Sequence, residues 1–280
     1  MKSRTALFLD TSIQISRFFK SDDLKRRIQE TTNRFDLRIT GLVVRGEFRR
    51  RIFSQAQYLL NLLNRYQSAK RVQQHVNDEL GGVQNQRKRN ISLDLLGTYY
   101  PQSSDADHTA RLKDLLRSLL MSGLEEFDDS VDSIIRDSAC ACGNERVREI
   151  EPYKKYALGS TSCKEQVGVC GIRHFLTQQN VNLSKIRDYL HHIPASQKSD
   201  EILRIEVAIT ELLSPSVNVE DRELCKKAGD LLIALESSGI PTFYTQNIKE
   251  SQHLCPALGQ TLLYRNNHAD ENDQVYENGK

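Results

Sequence analysis

Three acidic residues stand beside apolar segments, in places where a charged side chain needs a physical reason. Asp10 directly follows the apolar run of residues 5–9, Glu47 follows a second run soon after, and Asp230 directly precedes a third. Acids at strand ends and on the helices that follow converge on one cleft in an α/β sheet. Clustered carboxylates favour a hard cation such as Mg²⁺ or Mn²⁺. One such acid alone is as easily explained by the helix dipole, so only the joint pattern predicts a metal site.

The elements that would position these acids alternate between strand and helix. Strand-like runs occupy residues 5–9, 37–40, 240–244 and 262–264, and helical spacing of apolar residues covers 12–32, 42–66 and 224–235. Short apolar runs between amphipathic helices are typical of a parallel sheet with helices on both faces. We therefore predict an α/β fold, a three-layer α/β/α sandwich with a central, mainly parallel sheet.

The middle of the chain has a different character. Gly81 and Gly82 interrupt the helical pattern, and residues 107–136 carry leucines at helical spacing. We predict four segments: a first part of the α/β domain at 1–80, a largely helical insert at 81–215, a second part of the domain at 216–264, and a polar, disordered tail at 265–280.

The order of the acidic motifs resembles that of PIN-domain nucleases. Residues 9–12 are similar to the family's first acid at the end of the first strand, and residues 40–48 to its second acid on the following helix. Residues 229–234 are similar to the third motif, in which an acid opens a helix. Residues 241–247 are similar to the last, a strand that leads to a threonine and then to an acid or Asn. The resemblance covers about residues 4–66 and 220–264.

This resemblance implies a metal-dependent nuclease that binds Mg²⁺ or Mn²⁺. The implied ligands are Asp10, Glu47 and Asp230. Asn247 stands where many members carry an acid, so either Asn247 or Glu250 would complete the site. Three nearby hydroxyls could orient the ligands, although each could also serve as a cap or turn residue: Thr11, Ser12 and Thr245.

Charge is distributed unevenly along the chain. Residues 1–91 carry 19 lysines and arginines against 8 acids, whereas the whole chain has a formal net charge of only +2. The basic residues include clusters at 45–51 and 87–89. A basic surface on the N-terminal third would suit nucleic acid, with RNA as the expected partner, although arginine-rich helices can also be simply solvated faces.

Four of the six cysteines fall within the predicted insert. Cys140 and Cys142 form one close pair, and Cys163 and Cys170 form another. Four thiolates suit a tetrahedral, structural Zn²⁺ site. Replacement of one thiol by His174, or ordinary reduced cysteines without metal, are the alternatives.

These observations lead us to expect a cytoplasmic endoribonuclease with a catalytic Mg²⁺ or Mn²⁺ and a structural Zn²⁺. No apolar run of membrane-spanning length occurs in the sequence. The insert could also bind a protein partner, and a homodimer is possible. Two alternatives stay open: a catalytically inactive PIN fold that serves as an RNA-binding or scaffold protein, and a DNA-directed nuclease of related fold.

Overall fold

The computed structural model describes residues 5–97, 104–141, 148–151, 155–157, 171–194, 196, 198–213, 221–265 and 273–276. The strands are β1 (Ala6–Leu9), β2 (Leu37–Gly41), β3 (Ser133–Ile135), β4 (Arg148–Glu151), β5 (Lys155–Ala157), β6 (Thr242–Thr245), β7 (Thr261–Tyr264) and β8 (Gln274–Tyr276). The α-helices are α1 (Thr11–Phe19), α2 (Asp22–Thr32), α3 (Leu42–Phe48), α4 (Ser54–Tyr66), α5 (Ala69–Glu79), α6 (Gln86–Gly97), α7 (Asp105–Asp129), α8 (Ile172–Gln178), α9 (Asn180–His191), α10 (Asp200–Leu213), α11 (Asp221–Ser237) and α12 (Ile248–Ala257).

The central sheet has six strands in the order β3-β2-β1-β6-β7-β8. The first five run parallel to one another, and β8 pairs antiparallel with β7. The chain builds the sheet outward from β1 to β2 and β3, then returns to β6 on the other side of β1. The strand order therefore reverses between β1 and β6, and the cleft beyond their carboxyl ends is the expected ligand position in such a sheet.

Alternate residues along the strands enter two different hydrophobic clusters. Phe8 and Phe243 stack in the larger cluster, with ring centroids 5.3 Å apart. Leu7, Tyr244 and Ile28 belong to the smaller cluster. Because neighbouring strand residues point to opposite faces, the two clusters are the two sides of the sheet. Helices α1 and α2 cover the smaller one, and the α/β fold with a mostly parallel sheet is confirmed.

Two of the predicted helical stretches, 12–32 and 42–66, are not single α-helices in the structure. The stretch 12–32 is divided into α1 and α2, because Ser21 caps the second helix by accepting from the Leu24 amide at 3.5 Å. The stretch 42–66 is helical throughout, but its middle turn, Arg49–Phe53, is a π-helix between α3 and α4. This wider turn carries Arg51, and π-helical turns are frequent at functional sites.

The segment that we predicted as an insert contributes a strand to the sheet. The periodic stretch 107–136 is helical only to the end of α7, after which β3 pairs with β2. The sequence missed this strand because three residues are too few to show a periodicity. The stretch 81–215 thus supplies the edge of the central sheet as well as helices.

The tail that we predicted to be disordered is ordered in part. Residues 273–276 are described, and β8 within them pairs with β7. Asp273, the residue before β8, has a side chain that is 5% exposed and forms an ion pair with Arg265 at 2.5 Å. This buried ion pair and the strand pairing explain the order of residues 273–276. Within the described residues, no helix has the length and apolar character needed to cross a membrane.

Candidate active site

Asp10 lies at the point where the strand order of the sheet reverses. It caps α1, and its Oδ1 accepts from the Thr11 amide at 2.6 Å. Its Oδ2 accepts from the Ser12 hydroxyl at 2.8 Å and from the Thr245 hydroxyl at 2.7 Å. The side chain is only 8% exposed. Three donors therefore hold this carboxylate in one orientation, while an ionised carboxylate retains further lone pairs for another partner.

Glu47 is linked to Asp10 through the hydroxyl of Thr11, the residue that follows Asp10. The Thr11 hydroxyl donates to Glu47 Oε2 at 2.9 Å. The same oxygen forms an ion pair with Arg51 at 3.1 Å, one turn further along the helix. Thr11 thus connects the acid after β1 with the acid after β2.

Asp230 joins the cluster from the middle of a helix. We predicted that Asp230 opens a helix, but α11 begins at Asp221 and continues through Gly229. Burial, with smaller contributions from the charges of Asp10, Glu250 and Glu47, raises the pKa of Asp230 from 3.8 to about 7, whereas Arg51 acts in the opposite direction. These three acids therefore lie within electrostatic range of Asp230.

Glu250 lies within electrostatic range of Asp230, whereas Asn247 lies between β6 and α12. Asn247 precedes α12, and its side chain does not cap that helix. Its backbone amide donates to the Thr245 hydroxyl at 2.8 Å. Glu250, in the first turn of α12, is 5% exposed, and no described residue hydrogen bonds to its Oε2. A buried carboxylate oxygen without a donor is costly, so this oxygen is suited to accept a cation or a hydrogen-bond donor.

The carboxylate oxygens of these four acids are the kind of ligand that a hard divalent cation prefers, but the acids are not arranged as a complete coordination sphere. Among the described residues, no group of three or more His, Cys, Asp or Glu side chains has an arrangement ready to hold a metal ion. Arg51 instead neutralises Glu47. The acids, the unpartnered oxygen of Glu250 and the raised pKa of Asp230 still describe a site with an excess of negative charge.

Two arginines beside these acids were not predicted as site residues. Arg51 is 23% exposed at its side chain and contacts Glu47. Arg87, on α6, is exposed, yet nearby protein atoms lower the pKa of its guanidinium, as does the charge of Arg51. Glu47, Asp230 and Asp10 act on it in the opposite direction. The sequence feature that could have identified them is the pair of basic clusters at 45–51 and 87–89, to which Arg51 and Arg87 belong.

Much of the predicted basic surface is not available as a surface. Arg49 is completely buried, and Arg45 pairs with Asp128 at 2.6 Å. Arg89 donates to Asn77 at 2.8 Å. Helical geometry turns one side of each basic cluster inward, so the sequence count overstates the charge that a ligand would meet.

The structure describes only one of the four cysteines proposed to bind zinc. Cys140 is buried and forms no disulfide. Cys142, Cys163 and Cys170 lie outside the described residues. His174 is described on α8, where its Nε2 lies 2.9 Å from the Gln178 amide nitrogen. The zinc site therefore stays a prediction.

Comparison with protein-family models, with curated proteins and with solved structures finds no match for this chain. The function must therefore be argued from the site.

Proposed function

We propose that this chain is a metal-dependent endoribonuclease of the PIN type, which hydrolyses RNA phosphodiester bonds at the carboxylate cluster. The observation that carries the proposal is the approach of acids from four separate elements: Thr11 links Asp10 and Glu47, and these two acids and Glu250 lie within electrostatic range of Asp230. Asp10 follows β1, Glu47 lies on α3, Asp230 on α11 and Glu250 on α12. Parallel α/β sheets place their ligands at this position.

The acids and hydroxyls have separate tasks in such a reaction. Asp10, Glu47, Asp230 and Glu250 would hold the cation, with Asn247 next to them. When bound, Mg²⁺ or Mn²⁺ supplies positive charge that offsets the negative charge of the phosphate, and it lowers the pKa of the attacking water. Thr11, Ser12 and Thr245 fix the carboxylates of Asp10 and Glu47 through their hydrogen bonds. Fixed ligand orientation is what outer hydroxyls contribute at a metal site.

Cleavage of RNA by the purified chain tests this proposal. Single-stranded or structured RNA should be cut in Mn²⁺ or Mg²⁺, and Asp10→Asn should abolish the cleavage. Asp22→Asn is the matched control, because the Asp22 side chain is fully exposed on α2. Equal cleavage by the wild type and the Asp10→Asn variant would refute the assignment.

A second candidate is a catalytically inactive RNA-binding or scaffold protein. Two observations favour it: the described acids are not arranged as a ready metal-binding group, and an amide, Asn247, stands where the family usually has an acid. Titration with Mn²⁺ separates the two candidates. An active site should bind Mn²⁺ in a manner that depends on Asp10, whereas a silent one should not.

A further inference from the structure

Helix α6 is held against the elements that carry the acid cluster. Ser92 on α6 donates to the Gln55 side chain on α4 at 3.0 Å, and both residues are buried. Asp94 on α6 forms an ion pair with Lys20, which follows α1, at 2.7 Å. The helix also contacts the π-helical turn that carries Arg51. The packing of α6 against these neighbours therefore fixes the position of Arg87, near the start of the helix.

Arg51 and Arg87 lie on two different elements, and both are within electrostatic range of Glu47 and Asp230. Arg51 is in contact with Glu47 through a 3.1 Å ion pair. Arg87 makes no ion pair with any described residue, although it lies within electrostatic range of Glu47, Asp230 and Asp10. Two neighbouring guanidinium groups repel each other, so their proximity is favourable only where an anion lies between or beside them.

We propose that Arg51 and Arg87 are a phosphate-binding pair, which seats the backbone of single-stranded RNA against the acid cluster. Guanidinium groups bind phosphate oxygens through two parallel hydrogen bonds, and Arg87 is exposed and available for this contact. In the chain without substrate, Arg51 balances the charge of Glu47. When a phosphate binds, Arg51 moves to it and leaves Glu47 Oε2 open. This inference rests on the proposed ribonuclease function.

The experiment measures RNA binding without cleavage. A short, unstructured, fluorescent RNA oligonucleotide is titrated with the full chain in EDTA, and the dissociation constant is followed as the salt concentration changes. Arg87→Gln is compared with Lys88→Gln, which removes the same charge from the adjacent, exposed position. Arg87→Gln should weaken binding about tenfold and lower the salt slope by about 0.7, the value for one contact with a single strand. Lys88→Gln should stay close to wild type.

Glu47→Gln tests the part played by Arg51. This change releases Arg51 from its ion pair and should tighten RNA binding, and the gain should disappear in the double variant Glu47→Gln/Arg51→Gln. A gain that persists without Arg51 would show a general charge effect and overturn its role. No gain in the single variant would overturn it too. Thermal melting of each variant verifies that it is folded.

The outcomes separate this inference from the proposed function. Equal losses for Arg87→Gln and Lys88→Gln, no loss for either, or no RNA binding at all would overturn the phosphate pair. If the chain cleaves RNA in a metal-dependent manner but binds RNA equally well without Arg87, the nuclease function is supported and the phosphate-binding pair is overturned. If RNA binding depends on Arg87 but no cleavage occurs, the phosphate-binding pair is supported and the nuclease function is overturned.

Discussion

The Thr245 hydroxyl donates a 2.7 Å hydrogen bond to the Asp10 carboxylate, although 235 positions separate the two residues. This contact follows from strand pairing, because Leu9 on β1 is in register with Tyr244 on β6. The Asp10 amide continues the pairing by donating to the Tyr244 carbonyl at 3.1 Å. Asp10, the residue after β1, therefore lies beside Thr245, the last residue of β6. The orientation of Asp10 thus depends on closure of the sheet by both ends of the chain.

Thr245→Val should remove this orientation with little change in shape. The valine keeps the volume but donates nothing to Asp10, so we expect activity or metal affinity to fall by about 10-fold to 100-fold. The free energy of unfolding should fall by only about 1 kcal/mol. Cleavage kinetics, Mn²⁺ titration and urea unfolding measure these effects. Thr210→Val, an exposed site on α10, is the control, and equal activity in both variants would contradict the orienting role.

The sequence predicted β1, β2, β6 and β7, because each is a short apolar run bounded by turn-forming or polar residues. It did not predict β3 or β8, since a three-residue strand carries too little pattern and is fixed by its neighbours. Asp10, Glu47 and Asp230 could be predicted from the sequence for the same reason as these four strands, because an acid beside an apolar run is a local signal. The contact between Arg51 and Glu47 and the approach of Arg87 to the acids could not be predicted from the sequence, because both depend on packing between elements.

Glu236 is a second buried acid on α11, away from the predicted ligand set. It is 4% exposed and accepts from the Val43 amide at 3.0 Å and from the Ser138 hydroxyl. Gly41 leaves room for it, because a Cβ at that position would lie 2.0 Å from Glu236 Oε2. The pKa of Glu236 is raised from 4.5 to about 8, and burial is the largest cause. The two hydrogen bonds act against burial, whereas Cys140 and Asp137 act with it.

This shift predicts a loss of stability as the pH rises from about 4.5 to about 8. In that window the unfolded chain has released the Glu236 proton while the folded chain retains it, so rising pH favours unfolding. The contribution is on the order of 1 kcal/mol per pH unit. Glu236→Gln removes the titration, so its stability relative to wild type should increase between pH 5 and pH 8. Urea unfolding at both values measures the difference, and a constant difference would contradict the prediction.

The cysteine pattern predicts about one zinc per chain, measurable by elemental analysis of purified protein. Cys140→Ser should lower the zinc content and the melting temperature together, because structural zinc contributes directly to folding. Cys255→Ser provides the control. Cys255 is equally buried but belongs to the apolar core beside α12, so its loss should affect stability without affecting zinc. Wild-type protein without zinc would end this idea.

The ion pair between Arg265 and Asp273 should be the main attachment of β8 to the sheet. The side chains are 4% and 5% exposed, and the Tyr244 hydroxyl and the Thr31 hydroxyl also donate to Asp273. Asp273→Ala leaves a buried guanidinium without its carboxylate, so the free energy of unfolding should fall by about 3 kcal/mol. Asp22→Ala, at a fully exposed acid, should change it by less than about 0.5 kcal/mol.

A double variant distinguishes the ion pair from general packing at this site. Arg265→Met combined with Asp273→Ala removes the unpaired charge together with its partner. The combined loss should therefore be smaller than the sum of the two single losses, and the difference is their coupling energy. Urea unfolding of the four chains gives this value. Additive losses would show that Arg265 and Asp273 stabilise the edge of the sheet independently of each other, and would contradict the role of their ion pair.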